Sequence, residues 1–258
     1  MADQVLLSTG ERNLEACIKL AVQHGLGIEL MTFAMPNVLD GDWQNIVRRY
    51  QSQLKPVPGP IAMHGPFMDM APGSPDARIN QVCVERYQHA LRIAAELEVH
   101  LVVFHANFIA SIHNIEYRQG WHQRNVEFWG PIAEYAKEQG VMVAVENMWE
   151  FDPDIIGDLL KQINHPNLRA CLDVGHAHLF GEVPFEEWFT SLKDLIVHTH
   201  MNNNDGKIDI HMGFQYGVMD MHKVLDAVRA LPHKPTITLE MDEVDFLEGS
   251  LPFMKLGT

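Results

Sequence analysis

The clearest signal of fold lies in the segment VMVAVENMWEFDPDIIGDLLKQINHPNLRACLDVGH, residues 141–176. It begins with an apolar, β-branched run that ends at Glu146, and it closes with a second such run, Ala170–Asp173. Between them, Asp152 and Pro153 supply the N-cap and the first-turn proline of a predicted helix. Two short apolar strands joined by a helix form a βαβ unit, which places both strands in one parallel sheet.

The same alternation of short apolar runs and longer helical patterns extends outward in both directions. The predicted strands are Val5–Ser8, Gly27–Thr32, Pro60–His64, Leu101–His105, Val141–Glu146, Ala170–Asp173, Leu195–His200 and Thr236–Glu240. The predicted helices are Arg12–His24, Asp42–Leu54, Ala77–Leu97, Val126–Gln139, Pro153–Ile163, Phe185–Lys193, Met221–Ala230 and a short or irregular one within Val244–Leu256. Eight such units in 258 residues predict a single closed (β/α)8 barrel, with an open doubly wound sheet as the alternative.

Composition narrows the class of protein further. The chain is 47% hydrophobic, which is enough to bury one sizeable core. It contains no apolar run long enough for a transmembrane helix, and its N-terminus has no signal-peptide pattern. Its three cysteines, Cys17, Cys83 and Cys171, lie far apart and form no CxxC motif. We therefore expect reduced thiols in a cytoplasmic protein that has no membrane partner.

The charge balance argues against nucleic acid as a partner. The formal net charge is −15, from 19 Lys and Arg against 34 Asp and Glu. Proteins that grip the phosphates of a duplex cluster basic residues on the binding face, and the loops predicted to follow the strands contain almost no Lys or Arg. A small-molecule ligand fits this balance better. The sequence leaves the oligomeric state open.

The last residues of six successive predicted strands are all possible metal ligands. They are His64, His105, Glu146, Asp173, His200 and Glu240. Any one of them alone is more often a hydrogen-bonded rim residue, but chance would rarely place six in a row. In a (β/α)8 barrel these ends meet at one rim, where active sites lie. Mixed imidazole and carboxylate ligands suit divalent cations, so the sequence predicts a metal centre at this rim.

Further side chains are candidates for the same rim. His176 follows Asp173 by three residues, and Asp209 and His211 alternate in an extended loop, so that both can face one ligand. Two more groups lie within the predicted strands. His198 precedes His200 by two residues and is predicted to sit deeper, while Glu29 either orients a ligand or is a structural carboxylate, which is the interpretation that we favour.

The loops at this rim also predict a pocket with apolar edges. Phe67, Trp149 and Phe214 are candidates to contact a small ligand, although a packing role for Trp149 is equally compatible with its position. Lys207 is one of few cations in these loops and is a candidate for a polar contact.

At these residues the chain resembles the xylose isomerase-like TIM barrels, a superfamily that joins sugar isomerases and epimerases with endonuclease IV. The resemblance is carried by His64-Gly-Pro, Phe104-His105, Glu146-Asn147, Leu172-Asp173-Val-Gly-His176, His200-Met-Asn-Asn, Asp209-Ile-His211 and Leu239-Glu240. It spans nearly the whole chain and implies one such domain over residues 1–258.

The resemblance implies a divalent ion (Zn, Mn, Co or Mg) on four ligands, namely Glu146, Asp173, His200 and Glu240. It also implies that Glu146 and Glu240 act as acid and base on opposite faces of an enediolate. In endonuclease IV two further ions are held at positions matching His64, His105, His176, Asp209 and His211. In a sugar enzyme these five side chains contact substrate instead, so one ion is expected and up to three are compatible.

The leading functional hypothesis is therefore a metal-dependent isomerase or epimerase of a small sugar or polyhydroxy carbonyl compound. Two alternatives stay open. One is an endonuclease IV-like phosphodiester hydrolase acting on abasic DNA, which the acidic charge and bare loops disfavour. The other is a lyase or dehydratase on the same scaffold, because proton abstraction beside a carbonyl serves both outcomes.

Overall fold

Eight parallel strands follow one another around a closed barrel in chain order, and the last strand pairs with the first. The computed structural model describes residues 2–257. The strands are β1 (Val5–Thr9), β2 (Gly27–Leu30), β3 (Ile61–His64), β4 (Leu101–His105), β5 (Met142–Glu146), β6 (Leu168–Asp173), β7 (Ile196–Met201) and β8 (Thr236–Leu239). The predicted (β/α)8 barrel is confirmed, and the alternative prediction of an open doubly wound sheet is wrong.

Helices cover the outside of the barrel between successive strands. They are α1 (Leu14–His24), α2 (Pro36–Leu39), α3 (Trp43–Gln53), α4 (Ala77–Glu96), α5 (Ile115–Glu138), α6 (Asp154–Ile163), α7 (Val174–Phe180), α8 (Phe185–Leu192), α9 (Met221–Ala230) and α10 (Val244–Ser250). Two 3-10 turns, Thr32–Ala34 and Leu251–Phe253, follow β2 and α10. None of the helices within residues 2–257 combines the length and the apolar character that crossing a membrane requires.

The main core lies between the strands and the surrounding helices, because each strand turns alternate residues outward to meet them. The inside of the barrel is different on its two sides. A small apolar cluster of Val103, Ala144 and Cys171 fills the side of β4, β5 and β6. The opposite side carries buried polar residues, among them Glu29 and His198. This polar half positions the site described below.

Several elements differ from the prediction. Helix α5 begins at Ile115, well before the predicted Val126, because the Asn114 side chain accepts a hydrogen bond from Tyr117 N (2.7 Å) and caps a polar first half whose periodicity is weak. Strand β2 ends at Leu30. The short helices α2 and α7 were not predicted, since each has too few residues to show a helical repeat.

Other local features have clear physical causes. Gly140 adopts a left-handed backbone (φ 71°) after α5, as expected of a helix C-terminus. The Asp152 side chain accepts a hydrogen bond from Ile155 N (3.1 Å) at the start of α6. The three cysteines are buried, and none forms a disulfide within the described part of the chain.

Candidate metal centre

The side chains at the ends of β3 to β8 converge around the carboxylate of Glu146. Its Oε2 atom lies 3.3 Å from His64 Nε2 and 3.1 Å from His105 Nε2. Its Oε1 atom lies 3.0 Å from His200 Nδ1, and that nitrogen lies 3.3 Å from Glu240 Oε2. The predicted convergence of the strand ends is confirmed.

Four of these residues offer a donor set that fits a divalent cation. One donor atom from each of Glu146, Asp173, His200 and Glu240 lies within 4.8 Å of the others, and all four residues are buried. Glu240 Oε2 is buried, yet it makes no hydrogen bond to any residue that the structure describes. A buried carboxylate oxygen without a donor is costly, and a cation among these atoms would satisfy it. The residues present therefore fit the ion that the sequence predicts.

The electrostatics of this group also favour added positive charge. Burial raises the pKa of Asp173 to about 7, and the nearby carboxylates of Glu240 and Glu146 add to this rise. Burial also opposes ionisation of Glu240, but His200 and His211 lower its pKa to about 2. The anionic form of the cluster thus depends on cationic neighbours. A bound divalent ion would take over that role.

A second group of possible ligand atoms lies beside Glu146 Oε2. His64 Nε2 and His105 Nε2 are 3.2 Å apart, and each lies close to that oxygen, so the three atoms form a nearly equilateral triangle. Ligand atoms around a tetrahedral zinc ion are about 3.3 Å apart, given zinc–nitrogen distances near 2 Å. The triangle therefore has the dimensions of one face of a zinc site. The ring of Phe67 stacks on His105 with ring centroids 4.8 Å apart.

A third group lies at the mouth of the site. Asp209 Oδ2 is 3.3 Å from His176 Nε2, and Asp209 Oδ1 is 3.2 Å from His211 Nε2. His176 Nδ1 donates to the carbonyl oxygen of Asn147 (2.9 Å), so its Nε2 atom faces Asp209. Burial lowers the pKa of His176, but Asp173 and Asp209 raise it to about 10. The structure thus brings all nine predicted ligand candidates into one region.

Two asparagines that sequence reasoning did not single out hold Asp173. Asn147 Nδ2 donates to Asp173 O and Asn147 Oδ1 accepts from Asp173 N, both at 2.9 Å. Asn202 Nδ2 donates to Asp173 Oδ2 at 3.1 Å. Each asparagine lies one or two residues after a strand-end ligand candidate, in Glu146-Asn147 and His200-Met-Asn202. That adjacency was the available signal.

Glu29 lies deeper in the barrel and contacts the predicted ligand His200. Its Oε1 atom is 3.0 Å from His200 Nε2, and its Oε2 atom is 2.9 Å from His198 Nε2. All three residues are fully buried. The sequence interpretation that favoured a structural carboxylate missed this contact, although a charged residue in an otherwise apolar strand signals a paired group.

An open cavity of about 530 Å³ leads down to this site. Among the predicted ligand candidates its lining includes His64, His105, His176, Asp209, His211 and Glu240, whereas Glu146 is not among the lining residues. Its apolar walls are formed by Met31, Phe67, Met148, Ile210, Met241 and Phe246. Phe67 therefore lines the cavity that leads to the ligand candidates.

The other three predicted pocket residues do not line this cavity. Trp149 is 45% exposed and lines a separate surface groove with Phe180. Phe214 is buried against Phe253, with ring centroids 5.7 Å apart. Lys207 lies on an exposed turn, where its backbone N–H donates to the Asp205 side chain (2.9 Å). The interpretation of Trp149, Phe214 and Lys207 as pocket residues is wrong.

Cations are scarce around the cavity. Within residues 2–257 no Lys or Arg lines it, whereas the acidic residues Asp242 and Glu243 do. Arg118, near the start of α5, donates to both oxygens of Asp152 at 2.6 and 3.0 Å. The entrance is therefore acidic.

Comparison with known proteins agrees with this architecture. Residues 15–255 match the family model described as Xylose isomerase-like TIM barrel. The solved structure of the TTHB071 protein from Thermus thermophilus, soaked with ZnCl2, has 25% sequence identity and a TM-score of 0.82, covering 97% of this chain and 96% of that one. A D-tagatose 3-epimerase-like protein shares the fold at 22% identity, with a TM-score of 0.79 over 95% of this chain and 94% of that one.

The chain also matches relatives by sequence, including these two. The protein MJ1311 of Methanocaldococcus jannaschii is 28% identical over 187 residues, which is 70% of this chain and 64% of that protein. The D-psicose 3-epimerase of Ruminiclostridium cellulolyticum is 28% identical over 127 residues, 45% of this chain and 42% of that protein. The matched stretches span less than two thirds of the length of either relative.

Proposed function

Because this chain belongs to the xylose isomerase-like TIM barrel family, we propose that it is a divalent-metal-dependent isomerase or epimerase of a small sugar or polyhydroxy carbonyl compound. The observation that carries the proposal is the buried four-residue donor group, in which Glu240 Oε2 lacks a hydrogen bond to any described residue, at the floor of an open cavity. The likeness to a D-psicose 3-epimerase and to a D-tagatose 3-epimerase-like protein supports this class of reaction.

The ion would be held by Glu146, Asp173, His200 and Glu240. When bound, it supplies a Lewis acid that polarises a carbonyl group and orients the neighbouring hydroxyl oxygen. Three carboxylates and one imidazole suit Mn, Co, Zn or Mg.

Glu240 is the best placed of the two carboxylates to move a proton at the carbon beside the carbonyl. It lines the cavity, and its pKa of about 2 keeps it anionic at neutral pH. Glu146 lies beneath the floor, with both carboxylate oxygens in contact with histidines. We therefore propose Glu240 as the base on the cavity side, with Glu146 as the second acid–base group on the opposite face of the enediolate.

The histidines of the wall would bind substrate hydroxyls. His176 faces the cavity with Nε2, because its Nδ1–H is engaged by the carbonyl of Asn147. His64 and His105 also line this cavity, with their Nε2 atoms 3.2 Å apart beside Glu146 Oε2. These nitrogens can accept or donate hydrogen bonds according to their protonation.

The substrate that fits this cavity is neutral. The described lining has four carboxylates, on Asp209, Glu240, Asp242 and Glu243, against histidines such as His176 and His211 and no Lys or Arg, so it disfavours phosphate groups. The apolar walls of Phe67, Ile210 and Phe246 can pack against the C–H faces of a sugar. We therefore propose a sugar or polyol carbonyl compound that carries no phosphate.

One observation favours the endonuclease IV-like alternative. Three groups of ligand atoms with metal-site spacing lie side by side, and three divalent ions would make the site cationic enough for a phosphodiester. The net charge of −15 and the pairing of Arg118 with Asp152 oppose it. A lyase or dehydratase reaction would use the same proton abstraction and differs only in the fate of the enediolate.

The proposal is tested by proton exchange. The metal-loaded protein is incubated in heavy water with a panel of aldoses, ketoses and keto acids, and NMR follows deuterium entering the carbon beside the carbonyl. We expect exchange that stops after chelation and returns with added Mn, Co, Zn or Mg. Exchange in none of the panel, together with metal-dependent cleavage of an abasic duplex, would replace this proposal with the hydrolase.

A further inference from the structure

We propose that Glu29 is a positioning residue that selects Nδ1 of His200 as the metal-binding atom and fixes the plane of that ring. The inference rests on the proposed function in one respect, which is that His200 is a metal ligand. It assigns a role to a carboxylate on β2 that lies outside the donor group itself.

The carboxylate of Glu29 reaches across the barrel interior to β7. Its Oε1 atom lies 3.0 Å from His200 Nε2, and both residues are fully buried. Its ion-pair contacts among the described residues are to histidines, with no Lys or Arg within reach. A buried carboxylate in this setting is stable only when hydrogen bonds saturate its oxygens.

The hydrogen bond to Glu29 decides which nitrogen of His200 is free. An ionised carboxylate only accepts, so His200 Nε2 carries the hydrogen that it donates. Nδ1 then faces Glu146 Oε1 at 3.0 Å and Glu240 Oε2 at 3.3 Å, where it holds either a proton or a metal ion. A lone pair beside two carboxylate oxygens is repelled unless a cation lies among them. Nδ1 is therefore the ligating atom, and Glu29 sets this choice.

Two further contacts hold the other oxygen of Glu29. His198 Nε2 lies 2.9 Å from Oε2, and Thr238 Oγ1 donates to the same atom at 2.5 Å. His198 Nδ1 in turn lies 2.5 Å from Thr236 Oγ1. Because Nε2 of the neutral ring carries the hydrogen, Nδ1 accepts a hydrogen bond from this hydroxyl. With Oε2 fixed from two sides, the carboxylate cannot rotate away from His200. A carboxylate with only a packing role would not need these hydrogen bonds to fix its orientation.

The first experiment measures metal affinity. In Glu29→Gln the side chain keeps its shape but loses its charge and one acceptor oxygen, so His198 and His200 can no longer both donate to it. Calorimetric titration of the metal-free protein with Mn²⁺ or Zn²⁺ should show binding weakened by about 10- to 100-fold, the usual loss when a partner of a metal-bound histidine is removed.

Glu150→Gln is the matched control. Glu150 is a buried carboxylate in the loop after β5, and it accepts hydrogen bonds from Phe108 N (2.9 Å) and Met148 N (2.6 Å) but none from a proposed ligand. It should bind metal like the wild type, even if it loses stability to a similar degree. An equal loss of metal affinity in both variants would overturn the positioning role.

The second experiment determines which nitrogen of the His200 ring is protonated and which binds the metal. Long-range ¹H–¹⁵N spectra of the zinc-loaded, ¹⁵N-histidine-labelled protein should show His200 protonated at Nε2 and bound through Nδ1. Thr238→Val, which removes one bond to Glu29 and keeps the volume, should weaken zinc binding several-fold without loss of the fold. This variant keeps the test decisive if Glu29→Gln does not fold.

The outcomes separate this inference from the proposed function. Wild-type metal affinity in Glu29→Gln and Thr238→Val, or zinc bound through Nε2 of His200, overturns the role of Glu29 while sugar exchange by the wild type still supports the enzyme. Weakened metal binding in both variants supports the positioning role of Glu29. If the wild type also exchanges no sugar of the panel, the proposed isomerase or epimerase activity is overturned.

Discussion

Taken as single residues, the proposed carboxylate ligands differ in how their oxygens are used. Both oxygens of Glu146 contact histidines, and both oxygens of Asp173 accept hydrogen bonds from His176 N and Asn202 Nδ2. Glu240 keeps one buried oxygen that no described residue satisfies. Glu240 is also the only one of these three carboxylates that lines the cavity, so it is the most available base among them.

This contrast predicts the effect of Glu240→Gln. The amide keeps the shape and one coordinating oxygen but loses the basicity, so proton exchange should fall by about a hundredfold or more even when metal is restored to full occupancy. The measurement is deuterium incorporation at saturating metal, with occupancy checked by elemental analysis. Glu248→Gln, on the exposed face of α10, is the control and should exchange like the wild type. Recovery of full activity with excess metal would reduce Glu240 to a ligand.

Among the secondary-structure elements, the site depends on a strand that passes directly into a helix. Asp173 is the last residue of β6 and also the N-cap of α7, where its Oδ1 atom accepts a hydrogen bond from His176 N at 2.6 Å. The first turn of α7 lies so close to β7 that a Cβ on Gly175 would overlap Asn202 Oδ1. The absence of a side chain at Gly175 therefore lets Asn202 hold Asp173.

We expect Gly175→Ala to damage the metal centre through this contact. The added methyl group displaces Asn202 and loosens Asp173, so metal binding should weaken several-fold and the free energy of unfolding should fall by about 1–3 kcal/mol. Calorimetry with Mn²⁺ and chemical denaturation measure the two effects.

Gly120→Ala is the control for this substitution. Gly120 lies within α5, where a Cβ would meet only the flexible end of the Arg124 side chain at 3.0 Å. Alanine there should leave metal binding unchanged and raise stability by up to about 1 kcal/mol. Unchanged metal affinity in Gly175→Ala would contradict the role given to the turn.

For the molecule as a whole, the acidic charge determines which partners can approach the cavity. With a net charge of −15 and an entrance lined by carboxylates, the molecule should repel polyanions at long range. We expect no appreciable binding to an abasic DNA duplex near physiological salt, as measured by fluorescence anisotropy. A tight complex with the duplex that weakens steeply with salt, together with strand cleavage that is lost in Glu240→Gln, would contradict this prediction. It would also contradict the proposed sugar isomerase or epimerase activity.

The two ends of the chain also meet in the folded molecule. Asp3, just before β1, accepts hydrogen bonds from Arg229 Nη2 (2.7 Å) and Lys255 N (2.8 Å), and its own N–H donates to Lys255 O. Burial raises the pKa of Asp3, but these hydrogen bonds and the charge of Arg229 outweigh it and hold the pKa below its ordinary value. A carboxylate with a lowered pKa stabilises the fold above its ordinary pKa and loses this effect as the pH falls.

Asp3→Asn should therefore cost about 2 kcal/mol at pH 7, the usual worth of hydrogen bonds to a charged group, and less in acid. Urea unfolding at pH 7, 4 and 3 should show a difference from wild type that is nearly unchanged down to about pH 4 and shrinks below it, because the ordinary carboxyl pKa is about 3.9. Asp226→Asn is the control, since Asp226 is exposed and its oxygen lies 3.8 Å from the same Arg229. A constant difference at all three pH values would show that the charge of Asp3 does not matter.

Local sequence patterns were sufficient to predict the barrel and the positions of the ligand candidates. Strand periodicity and helix caps are local signals, and parallel strands joined by helices bring their carboxyl ends to one rim. It followed that residues ending six successive strands, from His64 to Glu240, would meet. The helix α7 was missed because seven residues carry too little pattern, although Asp173 was placed correctly.

Which other residues belong to the site depends on contacts between distant parts of the chain. The bond from Glu29 to His200 joins residues 171 positions apart across the barrel interior, and no local pattern encodes that distance. The misplaced Trp149, Phe214 and Lys207 lie in loops, whose paths depend on packing with neighbouring loops and not on strand period. The geometry of the barrel determines the direction of side chains on strands. The direction of side chains on loops depends on tertiary contacts, which exist only once the chain has folded.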